Sequence, residues 1–197
     1  MTAMTIPIMA AVPGQAEMLG SLIATSFHDL AISRWLVADR DERLRTQAGQ
    51  FGLLVRHAIE YGQVHTTADS SGVAVWFPSD VPPIPDYDSD LARICGPALD
   101  RFASLDDAMH SHHPEPPHWH LAFLAVLPRS QSHGIGTALL RHQHRRLDEL
   151  GIPAYLEAAN ERNGSLYRRH GYQPYGEPFP VGTGGPPMYP MWRNPPR

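Results

Sequence analysis

The sequence has one cysteine and no long apolar run, and these absences exclude two kinds of protein. Cys95 has no second cysteine in the chain to pair with, so an internal disulfide cannot hold the fold, and a reducing compartment fits. No apolar run reaches the length that spans a bilayer, and the N-terminus lacks the charged and then apolar layout of a signal peptide. We therefore expect a soluble, cytoplasmic protein with no membrane partner.

Neither positive nor negative charge is in large excess. Sixteen Lys and Arg against twenty Asp and Glu give a formal net charge of -4, which provides no general attraction to nucleic acid. Hydrophobic residues make up 42% of the 197 residues, a composition typical of globular proteins, and the length suits one compact domain over 1–197. The 20 prolines indicate many fixed turns. We expect one globular domain that does not bind nucleic acid.

Hydrophobic spacing predicts strands and helices in alternation. The predicted helices are one after Pro13, Asp41–Tyr61, a third through Leu91 to Met109, Gly134–Leu150 and Asn163–His170. The predicted strands are Thr5–Ala10, Val64–Ala68, Val73–Phe77, His118–Leu127, Ala154–Ala159 and Met188–Trp192.

A glycine-containing turn joins the predicted strand His118–Leu127 to the helix that follows. In the run Gln131 to Thr137, Gly134 and Gly136 leave room for an anion near the backbone N–H groups at the helix start. The run has neither the Lys-Ser/Thr ending of a nucleotide P-loop nor the G-x-G-x-x-G spacing of a dinucleotide site. By itself such a turn more often serves chain reversal than binding.

The flanking residues give the turn a specific resemblance. Leu124-Ala125-Val126 before Pro128, Gln131-x-x-Gly134-x-Gly136 and Leu139-Leu140 form one half, and Tyr155-Leu156-Glu157-Ala158, Asn160 and Leu166-Tyr167-Arg168-Arg169-His170-Gly171-Tyr172 form the other. These halves, at about 119–150 and 153–172, resemble the acetyl-CoA signature of the GNAT N-acetyltransferases. Gly72-Val73-Ala74-Val75-Trp76, Trp119, Pro153-Ala154 and Met191-Trp192-Arg193 are most similar to the puromycin N-acetyltransferase-like group. Ser132 stands where many members have glycine.

The resemblance implies an α/β (α+β) protein of the GNAT fold. Its mixed, twisted sheet would have about six to seven strands, the central ones splayed, with helices on the flanks. The implied activity is direct transfer of acetyl from the cosubstrate acetyl-CoA to a primary amine of a small molecule. The alternatives are a peptide or protein N-acetyltransferase and a catalytically silent acyl-CoA-binding module.

The resemblance also implies an acetyl-CoA site on the central strand and the turn. The expected residues are Leu124, Val126, Gln131, Ser132, His133, Gly134, Ile135, Gly136, Thr137, Asn160 and Tyr167. Asn160 is equally typical of a simple turn. The pantetheine would pair with backbone groups near Leu124 and Val126, and the oxyanion donor would be a backbone N–H near Val126 or Leu127.

Three side chains are candidates for proton transfer. Tyr167 aligns with the family's tyrosine acid, which would protonate the departing thiolate. His120 is the candidate base, because imidazole titrates near neutral pH, and Glu157 or a water molecule is the alternative. We expect no metal site, since the histidines from His110 to His120 lack cysteine and helical i, i+4 spacing. The expected partner is a small-molecule amine, and a homodimer is a further hypothesis.

Overall fold

The computed structural model describes residues 6–196. Thr5 of the first predicted strand, and both ends of the predicted domain, lie outside the described residues. The helices are α1 (Ala16–Phe27), α2 (Ala31–Leu36), α3 (Arg40–Tyr61), α4 (Tyr87–Cys95), α5 (Leu99–Ser111), α6 (Ile135–Leu150) and α7 (Glu161–Arg168). The strands are β1 (Ile8–Ala10), β2 (Gln63–Thr67), β3 (Gly72–Pro78), β4 (Trp119–Val126), β5 (Ala154–Ala158), β6 (Gln173–Pro174), β7 (Phe179–Pro180) and β8 (Pro187–Arg193).

The strands form one open, mixed sheet. Their order is β1-β2-β3-β4-β5-β8-β6, and β7 pairs with β8 outside this path. All neighbours are antiparallel except β4 and β5, which run parallel. The predicted mixed sheet with flanking helices is therefore confirmed.

The sheet opens along the β4 and β5 boundary. β4 pairs with β3 from Trp119 to Val126, but it pairs with β5 only at Trp119 and His120. A register shift between Val75 and Trp76 of β3 leaves Ala122 of β4 without an opposing residue, just beyond the last pair with β5. Such a bulge bends its strand. The predicted splay of the central strands is confirmed, and the bulge lies where the strands part.

Helices cover both faces of the sheet. On one face, α6 buries Leu139, Leu140 and Leu147 against a core that includes Trp76 of β3 and Leu156 of β5. On the other face, α1 and α3 pack on β3 and β4. Gly20 permits close contact between these two helices, because a Cβ there would lie 2.5 Å from the backbone nitrogen of Gly52. Among the described residues, no helix combines the length and the apolar character that a bilayer span requires.

The structure differs from the sequence prediction in a few elements. The predicted third helix is two helices, α4 and α5, because a 3-10 turn at Gly96–Ala98 contains Pro97, which cannot continue a helix. The short helix α2 and the two-residue strands β6 and β7 were not predicted. α7 begins at Glu161 rather than Asn163, since the Asn160 side chain caps it by accepting from the Asn163 amide at 2.8 Å.

Candidate active site

A cleft of about 790 Å³, here named the turn cleft, lies between β4, the start of α6 and α7. The residues that line it come mainly from two stretches, 124–137 and 160–169, with a contribution from residues 26–30. Among the sequence candidates it brings together Leu124, Val126, Gln131, Ser132, Gly134, Ile135, Gly136, Thr137, Asn160 and Tyr167. His133 is exposed in the same turn but is not among the residues lining the cleft.

The turn at the start of α6 has the features of an anion site. Gly134 precedes the helix with φ 82°, a left-handed conformation that favours glycine, and no side chain caps the first amides of the helix. The first turn of α6 contains no acidic residue. Arg162 and Arg169 line the same cleft. Free amides, the helix dipole and two guanidinium groups together suit a phosphate ester such as the diphosphate of acetyl-CoA.

The backbone of β4 is open on its β5 side. The Leu127 amide donates to the carbonyl oxygen of Ser71, the residue before β3, at 2.9 Å, so this amide faces β3 and not the gap. Hydrogen-bonded and non-bonded pairs alternate along antiparallel strands, and this alternation turns the backbone groups of Val126 and Leu124 towards the gap. The Gln131 side chain donates to the Val126 carbonyl at 3.1 Å. The suggestion of Leu127 as an oxyanion donor is therefore wrong, because its amide is already used.

A second cavity of about 290 Å³, here named the inner cavity, adjoins the turn cleft. Its walls are largely apolar, with Phe51, Phe77 and Phe123 among the larger side chains. Leu124 and Tyr167 line both the inner cavity and the turn cleft. A thioester in the cleft and an amine in the cavity could therefore meet beside these two residues.

Tyr167 lies in the last turn of α7, and its side chain is 9% exposed. Burial raises the pKa of its phenol, and no neighbouring charge contributes to the shift. The phenol therefore stays protonated at neutral pH and can serve as a proton donor. Its position between the two cavities is where a departing thiolate would need that proton.

His120 and Glu157, which the sequence offered as rival bases, are hydrogen-bonded to each other. His120 Nε2 and Glu157 Oε2 lie 2.7 Å apart, from β4 and β5 at the point where the strands part. Burial alone would raise the pKa of Glu157, but attraction to His120 and its hydrogen bond outweigh burial and lower that pKa. An ionised carboxylate accepts the Nε2 proton, so Nδ1 is the ring nitrogen of His120 that this contact does not use.

The segment between α1 and α3 is fastened by Arg43, which is 6% exposed. Its guanidinium donates to the carbonyl oxygens of His28, Val37 and Ala38 at 2.7–3.0 Å. Leu30 of this segment lines both cavities, and α2 forms part of the inner cavity. Arg43 therefore holds the wall that closes the two cavities.

Three of the histidines between His110 and His120 lie close together beside the start of β4. His113 lies 4.8 Å from His118 and 5.2 Å from His120 between ring centroids. Burial, followed by repulsion from His120 and His118, lowers the pKa of His113 to about 4. Within residues 6–196, no group of three or more His, Cys, Asp or Glu side chains has an arrangement that could hold a metal ion.

The sequence prediction missed the polar side chains of the inner cavity. Gln47 and Gln50 of α3 and Asp106 of α5 line it. The signal was present in α3, because Gln47 and Gln50 share a helical stripe with Phe51 and Leu54 and are 1% and 5% exposed. Polar residues on an otherwise apolar stripe indicate either a buried network or a ligand site.

Comparison with known proteins finds a match within one part of the chain. Residues 99–174, which are less than half of the 197, match the family model described as an acetyltransferase (GNAT) domain. This match supports an acetyl-CoA-dependent acyltransferase. The matched stretch includes β4, the turn before α6, β5 and α7, which contain most of the turn cleft.

Solved structures share the fold of this chain over nearly its whole length. The Corynebacterium glutamicum structure named histone acetyltransferase HPA2 and related acetyltransferase is 23% identical, with a TM-score of 0.74 and 98% of each chain covered. The Thermoplasma acidophilum PaiA N-acetyltransferase in complex with coenzyme A is 14% identical, with a TM-score of 0.58 and coverage of 97% and 99%. A mosquito arylalkylamine N-acetyltransferase-like protein is 16% identical, with a TM-score of 0.58 and coverage of 96% and 99%.

Proposed function

We propose that this protein transfers acetyl from acetyl-CoA directly to a primary amine of a small molecule. The observation that carries the proposal is the position of Tyr167, which lines both the turn cleft and the inner cavity. In the proposed arrangement the diphosphate of acetyl-CoA lies at the turn 131–137, and the acceptor amine occupies the inner cavity. The whole chain would act as a single GNAT domain.

Each chemical requirement of the transfer has a candidate group. The amine attacks only as the neutral base, and Nδ1 of His120 accepts its excess proton while Glu157 steadies the resulting imidazolium. The backbone amides of Leu124 and Val126, which face the gap, are candidate donors for the oxyanion. Tyr167 gives its phenolic proton to the coenzyme A thiolate as the carbon–sulfur bond breaks. His120 takes one proton from the amine and Tyr167 gives one proton to the thiolate. The proton count of the transfer therefore balances once Tyr167 has recovered its proton.

The inner cavity favours a small acceptor over a polypeptide. Its volume of about 290 Å³ is at the lower end of the range for small-molecule sites, and α2, α5 and β8 each contribute side chains to its lining. A peptide N-acetyltransferase is the alternative, and one solved structure of this fold is the Chaetomium thermophilum Naa20 with a bisubstrate analogue. A silent acyl-CoA-binding module would have no use for the paired His120 and Glu157.

The subgroup, the cellular location and the oligomeric state are part of this proposal as well. Trp76, Trp119 and the closing run Met191 to Arg193 support a place in the puromycin N-acetyltransferase-like group. The single cysteine, Cys95, which is buried, suits a cytoplasmic location. A homodimer is a further hypothesis, to be tested by sedimentation of the purified protein.

A screen of amines with acetyl-CoA tests the proposal. Release of free thiol, followed optically, should accompany formation of an N-acetylated small amine of equal amount, identified by mass spectrometry. Peptides with free N-termini form the comparison arm. Transfer to peptides alone would replace the small-molecule acceptor by a polypeptide, and no thiol release with either class would favour the silent module.

A further inference from the structure

Besides Glu157, the inner cavity contains an acidic group and amide groups that the acetyl transfer itself does not use. Its lining includes two carboxylates, Glu157 and Asp106, and no lysine or arginine. Glu157 is paired with His120, whereas Asp106 lies on a different wall, in α5. The cavity therefore provides a second negative group for whatever occupies it.

Asp106 is held in a fixed position by a neighbouring side chain. Its Oδ2 accepts a hydrogen bond from the Tyr87 hydroxyl at 2.9 Å. Burial raises the pKa of Asp106, the Tyr87 hydrogen bond opposes this, and the nearby Asp107 and Asp88 raise the pKa further. A bound cation would lower the pKa of Asp106 again, because it stabilises the ionised carboxylate.

Gln47 adds an amide to the same cavity. The residue is 1% exposed, and its Oε1 atom has no hydrogen-bond partner among the described residues. A buried amide without a partner costs free energy in the absence of a ligand. Since amide oxygen and nitrogen can exchange places by rotation, Gln47 can turn its oxygen towards a donor on a ligand.

From these groups we infer that the acceptor amine carries a second cationic group, which binds to Asp106 and Gln47 while the first amine is acetylated. The inference rests on the proposed function. The walls between the polar groups include Leu105, Met109 and Phe123, so the part of the acceptor that joins its two amines is apolar. The acceptor class is thus a compact diamine with an alkyl or aromatic spacer.

Matched amines test this inference by steady-state kinetics with acetyl-CoA. The alkyl series is 1,6-diaminohexane, 6-amino-1-hexanol, hexylamine and 6-aminohexanoate, and the aromatic series is p-xylylenediamine and 4-methylbenzylamine. The diamine of at least one series should exceed its monoamine by about ten- to a hundredfold in kcat/KM, since a charged hydrogen bond typically contributes that much. The amino alcohol should be intermediate and the anionic 6-aminohexanoate poorest.

Two variants connect the preference to the inferred site. Asp106→Asn should abolish the preference for the diamine, mainly through KM, and leave the monoamine almost unchanged. Gln47→Met, which keeps the volume of the side chain, should reduce the preference to a smaller degree. Asp107→Asn is the matched control, because Asp107 is an exposed neighbour of equal charge that does not line the cavity. It should leave the preference intact.

The outcomes separate this inference from the proposed function. Equal kcat/KM for diamines and monoamines in both series, or an equal effect of Asp106→Asn on both, would overturn the second cationic site and leave acetyl transfer in place. No thiol release with any of the six amines, by an enzyme that binds coenzyme A, would contradict the proposed function together with the inference. Circular dichroism of each variant shows whether a loss reflects unfolding.

Discussion

The turn cleft and the inner cavity meet at Tyr167, yet they are built from different parts of the chain. Two short stretches, 124–137 and 160–169, supply most of the cleft, and its central feature is the glycine-containing turn before α6. The inner cavity takes side chains from α2, α3, α5, β3, β4, β5, α7 and β8. One site depends on the local conformation of a turn, and the other depends on how distant elements pack.

This difference bears on how each site can vary. In the proposed arrangement the cleft would bind through amides and a helix start, which most side chains on the same backbone would preserve as long as Gly134 keeps its left-handed conformation. The inner cavity is defined by side chains such as Phe51, Leu105 and Asp106, so single substitutions there can change the acceptor without disturbing the cleft. Variants in the two regions should therefore affect different kinetic constants.

The largest effect is expected at the junction. Tyr167→Phe keeps the ring but removes the phenolic proton, so single-turnover transfer should fall by about 10² to 10⁴ while acetyl-CoA affinity stays nearly the same. Rapid-mixing kinetics and calorimetry measure the two quantities. Tyr189→Phe is the control, since Tyr189 packs on the same core but lines neither cavity. Wild-type transfer by a folded Tyr167→Phe protein would remove Tyr167 from the mechanism.

A smaller and pH-dependent effect is expected in the inner cavity. His120→Gln removes the base, so the rate should fall by about 10² at pH 7. The defect should shrink as pH rises towards the pKa of the amine, because the neutral amine then forms without help. Rate profiles of both proteins from pH 6 to 10 check this, with His142→Gln on α6 as the control. A defect of constant size across this range would argue for a positioning role of His120.

The smallest effect is expected in the turn cleft, and it should be confined to binding. Gly134→Asp places a carboxylate at the start of α6, so coenzyme A affinity should fall by roughly tenfold through repulsion of the diphosphate. Gly134→Asn carries the same backbone strain without the charge, so it should lose less of its affinity for coenzyme A. Gly151→Asp is the matched control at the other end of α6, also a left-handed position with open space, φ 69°. Equal affinities of Gly134→Asp and wild type would exclude this turn as the diphosphate site.

Much of the cleft could be predicted from sequence because its parts are contiguous. Gly134 and Gly136 mark the turn, apolar alternation marks β4, and Asn160 and Tyr167 belong to one short segment. Most of the strands and helices along the chain also follow from hydrophobic periodicity. The one predicted helix that the structure divides into two is interrupted at Pro97.

The inner cavity could not be predicted in the same way. Gln47 and Asp106 are 59 positions apart and line the same cavity only because the fold places α3 and α5 at its border. His120 and Glu157 were recognised as candidates, but their 2.7 Å contact depends on the short parallel pairing of β4 with β5. The use of the Leu127 amide by Ser71 likewise depends on strand register, which no motif encodes.

A crystal structure of the protein with coenzyme A and a small amine that it acetylates tests the central claim most directly. The account predicts the diphosphate at the amides of 134–137, the sulfur within hydrogen-bond reach of the Tyr167 hydroxyl, and the amine nitrogen in the inner cavity about 3 to 3.5 Å from the reacting position. A sulfur that points away from Tyr167, or an amine bound outside the inner cavity, would contradict it.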